Sequence, residues 1–431
     1  MNFLSDFIYF FSFQDTNINN VLLGTILLGF TCGIVGVLVV LSKKALIVDA
    51  ISHSVLPGIC IGFMFAGVKN PIYLISGGMF SGAIAVYLVD WISRISRIKK
   101  DASIAITLSL LFSAGVILLS IIQHSGNSNQ SGLTDFLFGK AATIIQSDLY
   151  VFGVICTIVI LTLILFYQHF KISLFDPGFA RTIGLSEKLT QGLISGLIII
   201  STAIGIQTVG IILMSALIIT PASSALFWTN SFKKAILLSG LFATLSSIFG
   251  VFISFLSSDM PTGPWIIVIL SCFALFSAFL SKRGLVTKQI KNFKNKQKML
   301  SDNFLKSLYQ IGEKNNEIKK FRTPKEMLAI LSISSTDLHR GIKILKKNKS
   351  IIYYNNAFGL TQKGIKSAKK IIRAHMLWEI YMEKFMEIEP YHIHDSAESI
   401  EQILTPEIEE ELLKEMGTKK STLLNIKTTK I

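Results

Sequence analysis

The 431-residue sequence has no G-x-x-x-x-G-K-[ST] run, so it lacks the phosphate-cradling loop needed to hydrolyse ATP by itself. An ATP-driven activity therefore requires a separate ATPase, and the chain alone is not expected to be an enzyme. Cysteine is scarce. Cys32, Cys60, Cys156 and Cys272 all fall inside apolar runs and no two form a C-x-x-C pair. That pattern supports neither a zinc ribbon nor a disulfide framework, and all four read as small buried hydrophobes. The opening stretch MNFLSDFIYFFSF has no Lys or Arg. It lacks the basic start of a secretory signal peptide and reads as an aromatic segment at a membrane interface. Acids are missing between Lys282 and Lys298, where seven basic residues lie. Charged residues are only 16% of the chain, yet the net charge is +15, which suggests a membrane-surface or nucleic-acid partner.

Long apolar runs are what the first part of the chain has in abundance, nearly all before residue 281. Nine candidate spans lie near 21–41, 46–66, 72–90, 103–122, 149–167, 189–208, 211–228, 235–256 and 265–281. An eight-span version follows if QTVGIILMS is a re-entrant turn. Alternate loops differ in charge. One set holds thirteen Lys and Arg, from Lys43 and Lys44 to Lys282 and Arg283, and the other holds only Lys69 and Lys140. This positive-inside bias places the N-terminus outside the plasma (inner) membrane and everything after Arg283 in the cytoplasm.

Two stretches carry chemistry. In KKALIVDAISHSVLPG, Asp49 and His53 are four apart and share a helical face. His53 lies ten residues past Lys43, which at 1.5 Å per residue is roughly 15 Å deep, about mid-bilayer. A carboxylate and an imidazole at that depth mark an ion pathway, the alternative being a structural hydrogen bond between helices. Pro57-Gly58 is expected to break the helix there. A nitrogen–oxygen donor pair suits Mn, Fe or Zn better than Ca or Mg. The second stretch is LFDPGFARTIGLSEKLTQG. Asp176 caps a short helix starting at Pro177, and Gly184 ends it. It is either a plain connector or a docking helix for a motor subunit.

DAISHSVLPG, LFDPGFARTIGL, VGIILMSALIITPASSA and PTGPW occur in the order found in permease subunits of ABC transporters for zinc, manganese and iron, and the chain resembles that family over residues 20–281. The resemblance implies Asp49 and His53 as ligands on the translocation path. It also implies that the helix bearing Asp176, Ala180 and Gly184 fits a groove on the ATPase, with Ala180-x-x-x-Gly184 similar to the core of a coupling loop. Implied partners are the ATPase, an extracytoplasmic metal-binding protein and a second permease copy or paralogue. A membrane-tethered metal sensor that no longer transports, or a secondary cation carrier with a regulatory tail, are the competing readings.

Residues 284–300 read as a basic linker, exposed and open to proteolytic nicking, from which the region after it would be released. As a flexible coil it would span roughly 23 Å. Then come three helices. One has a stripe of Phe304, Leu305, Leu308 and Ile311, and one starts at Thr323-Pro324. The third has Leu338, Ile342 and Leu345 on its core face. Two short strands around Asn355-Asn356 follow, ending at a Thr361 cap. Over 301–362 this order makes a winged helix-turn-helix. Ser335, Thr336, His339 and Arg340 are the base-proximal candidates, and Lys343 is the phosphate contact.

Beyond lies a helical region, 363–431, expected to dimerise. His375 and Glu379 are four apart on one helix, and His394, Glu398, Glu401 and Gln402 share a face of the next. Spacing alone also fits a solvated acidic helix pair. RAHMLWEIYMEK and HDSAESIEQILTPEIEEEL, however, resemble the ligand-bearing helices of the diphtheria-toxin-repressor and manganese-transport-regulator family over 301–411. The resemblance implies His375, Glu379, His394, Glu398 and Glu401 as ligands for Fe, Mn or Zn acting as corepressor, and operator DNA bound by a dimer. Gln402 stands where a ligand His is usual, and Asn303 and Lys306 stand where first-helix ligands are expected. The expected whole is an all-α polytopic membrane bundle, 1–283, fused to a cytoplasmic metal-dependent repressor.

Overall fold

The computed structural model describes residues 3–67, 70–124, 139, 141, 144–256, 260–318, 320–330 and 334–385. They divide into two units, Met1–Thr287 and Lys288–Ile431.

Among the described residues, the regular elements of the first unit are all helices. A short helix α1 (Phe3–Phe10) precedes α2 (Thr16–Leu41), α3 (Ala45–Ala66), α4 (Pro71–Ile95), α5 (Lys100–His124) and α6 (Gln146–Leu165). Then follow α7 (Tyr167–Phe175), α8 (Pro177–Thr182), α9 (Glu187–Val209), α10 (Ile211–Leu226), α11 (Phe232–Phe255) and α12 (Thr262–Leu280). Local chemistry sets their ends. The Asp15 carboxylate accepts the Asn17 and Ile18 amides at the start of α2, and the Asn70 side chain accepts the Ile72 amide ahead of Pro71 in α4. Among the described residues, eight helices are long and apolar enough to cross a membrane. The ninth expected span is α10, only 16 residues long. It leaves α9 at Gly210, whose φ of +88° turns the chain so that Met214 comes back against Gly205.

Helix α3 sits at the centre, packed on α4, α5, α9 and α10, while α2 packs on α10 and α11. Its contact with α4 runs through Gly58 and Gly77. A Cβ on either glycine would strike the other's carbonyl oxygen, so the two backbones touch. Pro57-Gly58 therefore does not break the helix, contrary to expectation: α3 is continuous from Ala45 to Ala66 with Pro57 inside it. Proline removes one amide donor, and the close glycine contact with α4 holds the segment helical around that gap. Cys32, Cys60 and Cys156 are buried as expected, but Cys272 of α12 is exposed. In α1, Phe10 is buried against Phe252 and Phe255 at the end of α11, so the aromatic segment caps the bundle.

The second unit begins with the body of α13 (Leu285–Lys314), a 30-residue helix. The expected coil at 284–300 is thus corrected. Its Leu, Val, Ile and Phe recur at helical spacing through the lysines, and no Gly or Pro interrupts the run after Gly284. Then come α14 (Pro324–Ile330), α15 (Ser335–Lys347), β1 (Ile351–Tyr354), β2 (Ala357–Leu360) and α16 (Gln362–Phe385). The strands pair antiparallel, with Ile351 opposite Leu360 and Tyr354 opposite Ala357. Asn355 and Asn356 both have positive φ, the signature of a tight two-residue hairpin turn. Thr323 and Glu326 form a reciprocal cap on α14, and Thr361 Oγ1 accepts the Gly364 amide at the start of α16. Phe304, Leu305, Leu308, Leu338, Leu345, Ile351 and Phe358 make the core. Three helices followed by a hairpin is the order expected from the sequence.

Candidate metal path and coupling helix

Asp49 and His53 lie one turn apart on α3, with His53 Nε2 3.8 Å from Asp49 Oδ1. That is too long for a hydrogen bond. The imidazole stands edge-on to Phe112 of α5 at 5.0 Å between centroids. Its Nδ1 is buried and has no hydrogen-bond partner. Nε2 is thus the ring nitrogen nearest the half-exposed Asp49 carboxylate, and the two side chains present one nitrogen donor and one oxygen donor on a single helical face. Pro57 adds to this, because it cannot donate to the carbonyl of His53 four residues back. Among the described residues, no three His, Cys, Asp or Glu side chains gather into a metal-binding group.

Helix α8 forms as its sequence dictates. Asp176 Oδ1 accepts the Phe179 amide at 2.9 Å, and Pro177 occupies the first turn. At the other end Gly184 adopts φ +78°, and the Leu185 amide returns to the Ala180 carbonyl at 2.9 Å. That is a glycine-dependent helix stop. Ala180 is buried within its own chain. The exposed apolar residues of this element are Phe179 and Ile183, which sequence reasoning passed over; their spacing of four was the available signal.

A linkage absent from the sequence reading joins these two places. Lys44, 8% exposed, donates from Nζ to the Gln191 carbonyl at 3.1 Å and to Ser195 Oγ at 2.9 Å. It thereby ties the residue preceding α3 to α9. Arg181 of α8 pairs with Glu187 at the start of α9 at 2.8 Å. Helix α9 therefore meets α8 through an exposed ion pair at one end and, two turns later, is hydrogen-bonded by Lys44, the residue before the helix of Asp49 and His53. Lys44 lines a cavity of about 730 Å³ with Lys43, Asp90, Arg94, Lys100 and Lys188. Burial first, and then the charge of Lys100, lowers the Lys44 pKa to about 8, with Asp90 opposing.

In the second unit, Thr336, His339, Arg340 and Lys343 are exposed on α15. Arg340 reaches Asp337 at 3.5 Å, and Lys346 lies over the Tyr353 ring of the hairpin. Ser335 begins the helix, capped by Ser334 Oγ on the Asp337 amide. His375 and Glu379 fall on the backbone of α16, four apart as expected. His394, Glu398, Glu401 and Gln402 lie outside the described residues. Lys306 is buried and Asn303 half-buried on α13. An ammonium has no lone pair to give, so these two positions offer at most the amide oxygen of Asn303 as a donor.

Among the described residues, eight membrane-length helices, an Asp–His pair inside the central one and a capped short helix between spans fit a polytopic membrane transport subunit. The chain belongs to the ABC 3 transport family, which it matches over residues 14–281. Residues 361–422 match the iron dependent repressor, metal binding and dimerisation domain. Manganese transport system membrane protein MntC of Bacillus subtilis (strain 168) is 34% identical over 382 residues, covering 87% of this chain and 86% of that protein. Zinc transport system membrane protein TroC of Treponema pallidum (strain Nichols) is 36% identical over 275 residues, 64% of this chain and 92% of that protein. Among solved structures, PsaBC from Streptococcus pneumoniae in complex with Fab superposes with a TM-score of 0.59 at 29% identity. That match covers 65% of this chain and 97% of the other. The protein is a multi-pass membrane permease with a repressor-type metal-binding and dimerisation region behind it.

Proposed function

We propose that the first unit conducts a divalent transition metal, Mn, Fe or Zn, past Asp49 and His53 into the cell. A separate ATPase drives it, and an extracytoplasmic binding protein loads it. The observation that carries this reading is the Asp49–His53 pair on one face of a continuous membrane helix, with Nε2 3.8 Å from the Asp49 carboxylate and the buried Nδ1 lacking a hydrogen-bond partner. Two donors are too few for a transition metal, and a second permease copy or paralogue supplies another pair. The ATPase docks on α8 through Phe179 and Ile183, with Asp176 and Gly184 holding the helix ends. The N-terminus faces outward, and the region after Arg283 lies in the cytoplasm. There it binds operator DNA as a dimer through Thr336, His339, Arg340 and Lys343. His375, Glu379, His394, Glu398 and Glu401, with Gln402 as a weaker donor, take the same metal as corepressor. Release by proteolysis near 284–300 was the expectation for a coil; the helical state of that segment favours action while tethered.

The test is metal uptake by proteoliposomes holding the permease, the ATPase and the loaded binding protein. Asp49→Ala and His53→Ala are each expected to lower ATP-dependent uptake by about tenfold or more at unchanged protein level, because an intramembrane ionisable pair is seldom idle. Undiminished uptake in both variants removes the pair from the path.

A further inference from the structure

Helix α13 changes character along its length. Its second half carries Phe304, Leu305, Leu308 and Tyr309, all buried in the core of the second unit. Its first half has an equally apolar stripe with nothing on it among the described residues. Val286, Ile290 and Phe293 are spaced by four and three, lie on one face and are exposed, Phe293 at 59%. Through Gln297 the same stripe runs on to Leu300 and Phe304. Lys288, Lys291 and Lys298 occupy the opposite side, and Lys294 and Lys296 flank the stripe. No acid occurs between Arg283 and Ser301. The helix starts at Leu285, five residues after α12 ends at Leu280. A bilayer surface is therefore within reach by covalent connection alone.

We propose that residues 285–298 of α13 form an interfacial helix that lies on the anionic lipid surface of the membrane, with Val286, Ile290 and Phe293 immersed. An apolar stripe of this width with lysines along its margins and back matches the chemistry of that surface. The rings and branched chains enter the acyl boundary, and the flanking lysine stems extend back to the phosphates. A nucleic-acid surface explains the lysines but not the exposed Phe293 and Ile290. A second copy of the chain explains the apolar stripe but not the absence of any acid to offset the lysines. The first half of α13 is thus a stiff membrane-bound mount for the second unit.

The test uses the full-length chain in lipid nanodiscs. Cys32, Cys60 and Cys156 are buried, so Cys272→Ser leaves a background for a single spin label. Labels are placed at Phe293→Cys and, on the opposite side, at Lys291→Cys, with Ile290→Cys as a second position on the stripe. Collision with oxygen reports lipid, and collision with a water-soluble nickel chelate reports solvent. In discs mixing phosphatidylglycerol and phosphatidylcholine, the oxygen-to-nickel ratio at 293 and 290 is expected to exceed that at 291 by roughly threefold or more. In phosphatidylcholine alone, or with Lys294→Glu and Lys296→Glu, the contrast should shrink. Nickel access at 293 and 290 in both lipids overturns the proposal. So does dipolar broadening between copies, which makes the stripe a dimer seam, or shielding from both reagents, which makes it covered by protein. Protection that appears only on adding duplex DNA also overturns it and makes the face a nucleic-acid surface.

Discussion

At the scale of single residues, the pair on α3 was legible because two facts sufficed: a spacing of four and a depth counted from Lys43. What could not be read was the state of His53 Nδ1, which depends on groups from α5 and neighbouring helices that sequence order does not bring together. Lys44 was illegible for a different reason. Beside Lys43 it looks like one more cytoplasmic charge of the positive-inside set, and only the fold shows it buried on α9. Its lowered pKa gives a signed expectation. Below about pH 8 Lys44 is charged in the folded and unfolded chain alike, and folding carries the full cost of burying the ammonium. Between about 8 and the ordinary value of 10.5 the unfolded chain holds more protons, so the native state gains stability as pH rises. Thermal unfolding in detergent is therefore expected to show wild type gaining on Lys44→Met over that window. Parallel curves for the two proteins mean that the ammonium is hydrated rather than packed on Gln191 and Ser195.

At the scale of elements, caps and turns were the most legible features. Asp176, Pro177, Thr323, Thr361 and the Asn355-Asn356 pair all act where local hydrogen bonding or backbone preference decides, and each does what its residue type implies. Two expectations failed, one because packing overrules local preference and one because polarity masked a helical spacing. Pro57-Gly58 reads as a break but stays helical because α4 closes on it. Residues 284–300 read as coil by polarity, whereas their apolar spacing is helical. Gly184 permits a clean test of α8, since a Cβ there meets nothing within 4 Å and only its positive φ resists substitution. Gly184→Val is expected to cost about 1–2 kcal/mol locally and to open the helix end. Stimulation of the ATPase by the reconstituted permease should fall with it, while Gly184→Asn, which tolerates a left-handed backbone, should retain most of it. Equal stimulation by the Val and Asn variants removes the stop from the coupling role.

At the scale of the whole molecule, two units share one chain, and their separation was visible as a change of solvent near Lys282. The transition metal proposed to pass through one is also the proposed ligand of the other, so DNA binding should report cytoplasmic metal. Full-length protein in nanodiscs is expected to retain duplex DNA only with Mn, Fe or Zn present, and more weakly as salt rises. Lys343→Ala should weaken binding similarly on all sequences, whereas Arg340→Ala should also relax specificity. Identical isotherms with and without metal mean that Asn303, Lys306 and Gln402 have replaced too many donors. A free repressor searches a genome by diffusion, and a tethered one waits for its operator to reach the membrane. Proteolysis between the units converts the second case into the first. It requires an extended stretch for the protease, and α13 denies one: its sixteen residues from Leu285 to Leu300 run about 24 Å as helix at 1.5 Å each. A C-terminal tag, cell fractionation and blotting decide between the two. The tag is expected at full length and in the membrane fraction only. A soluble fragment of roughly one third of the chain, a size typical of a free domain, means instead that the helix unwinds, is cut, and lets the regulator go.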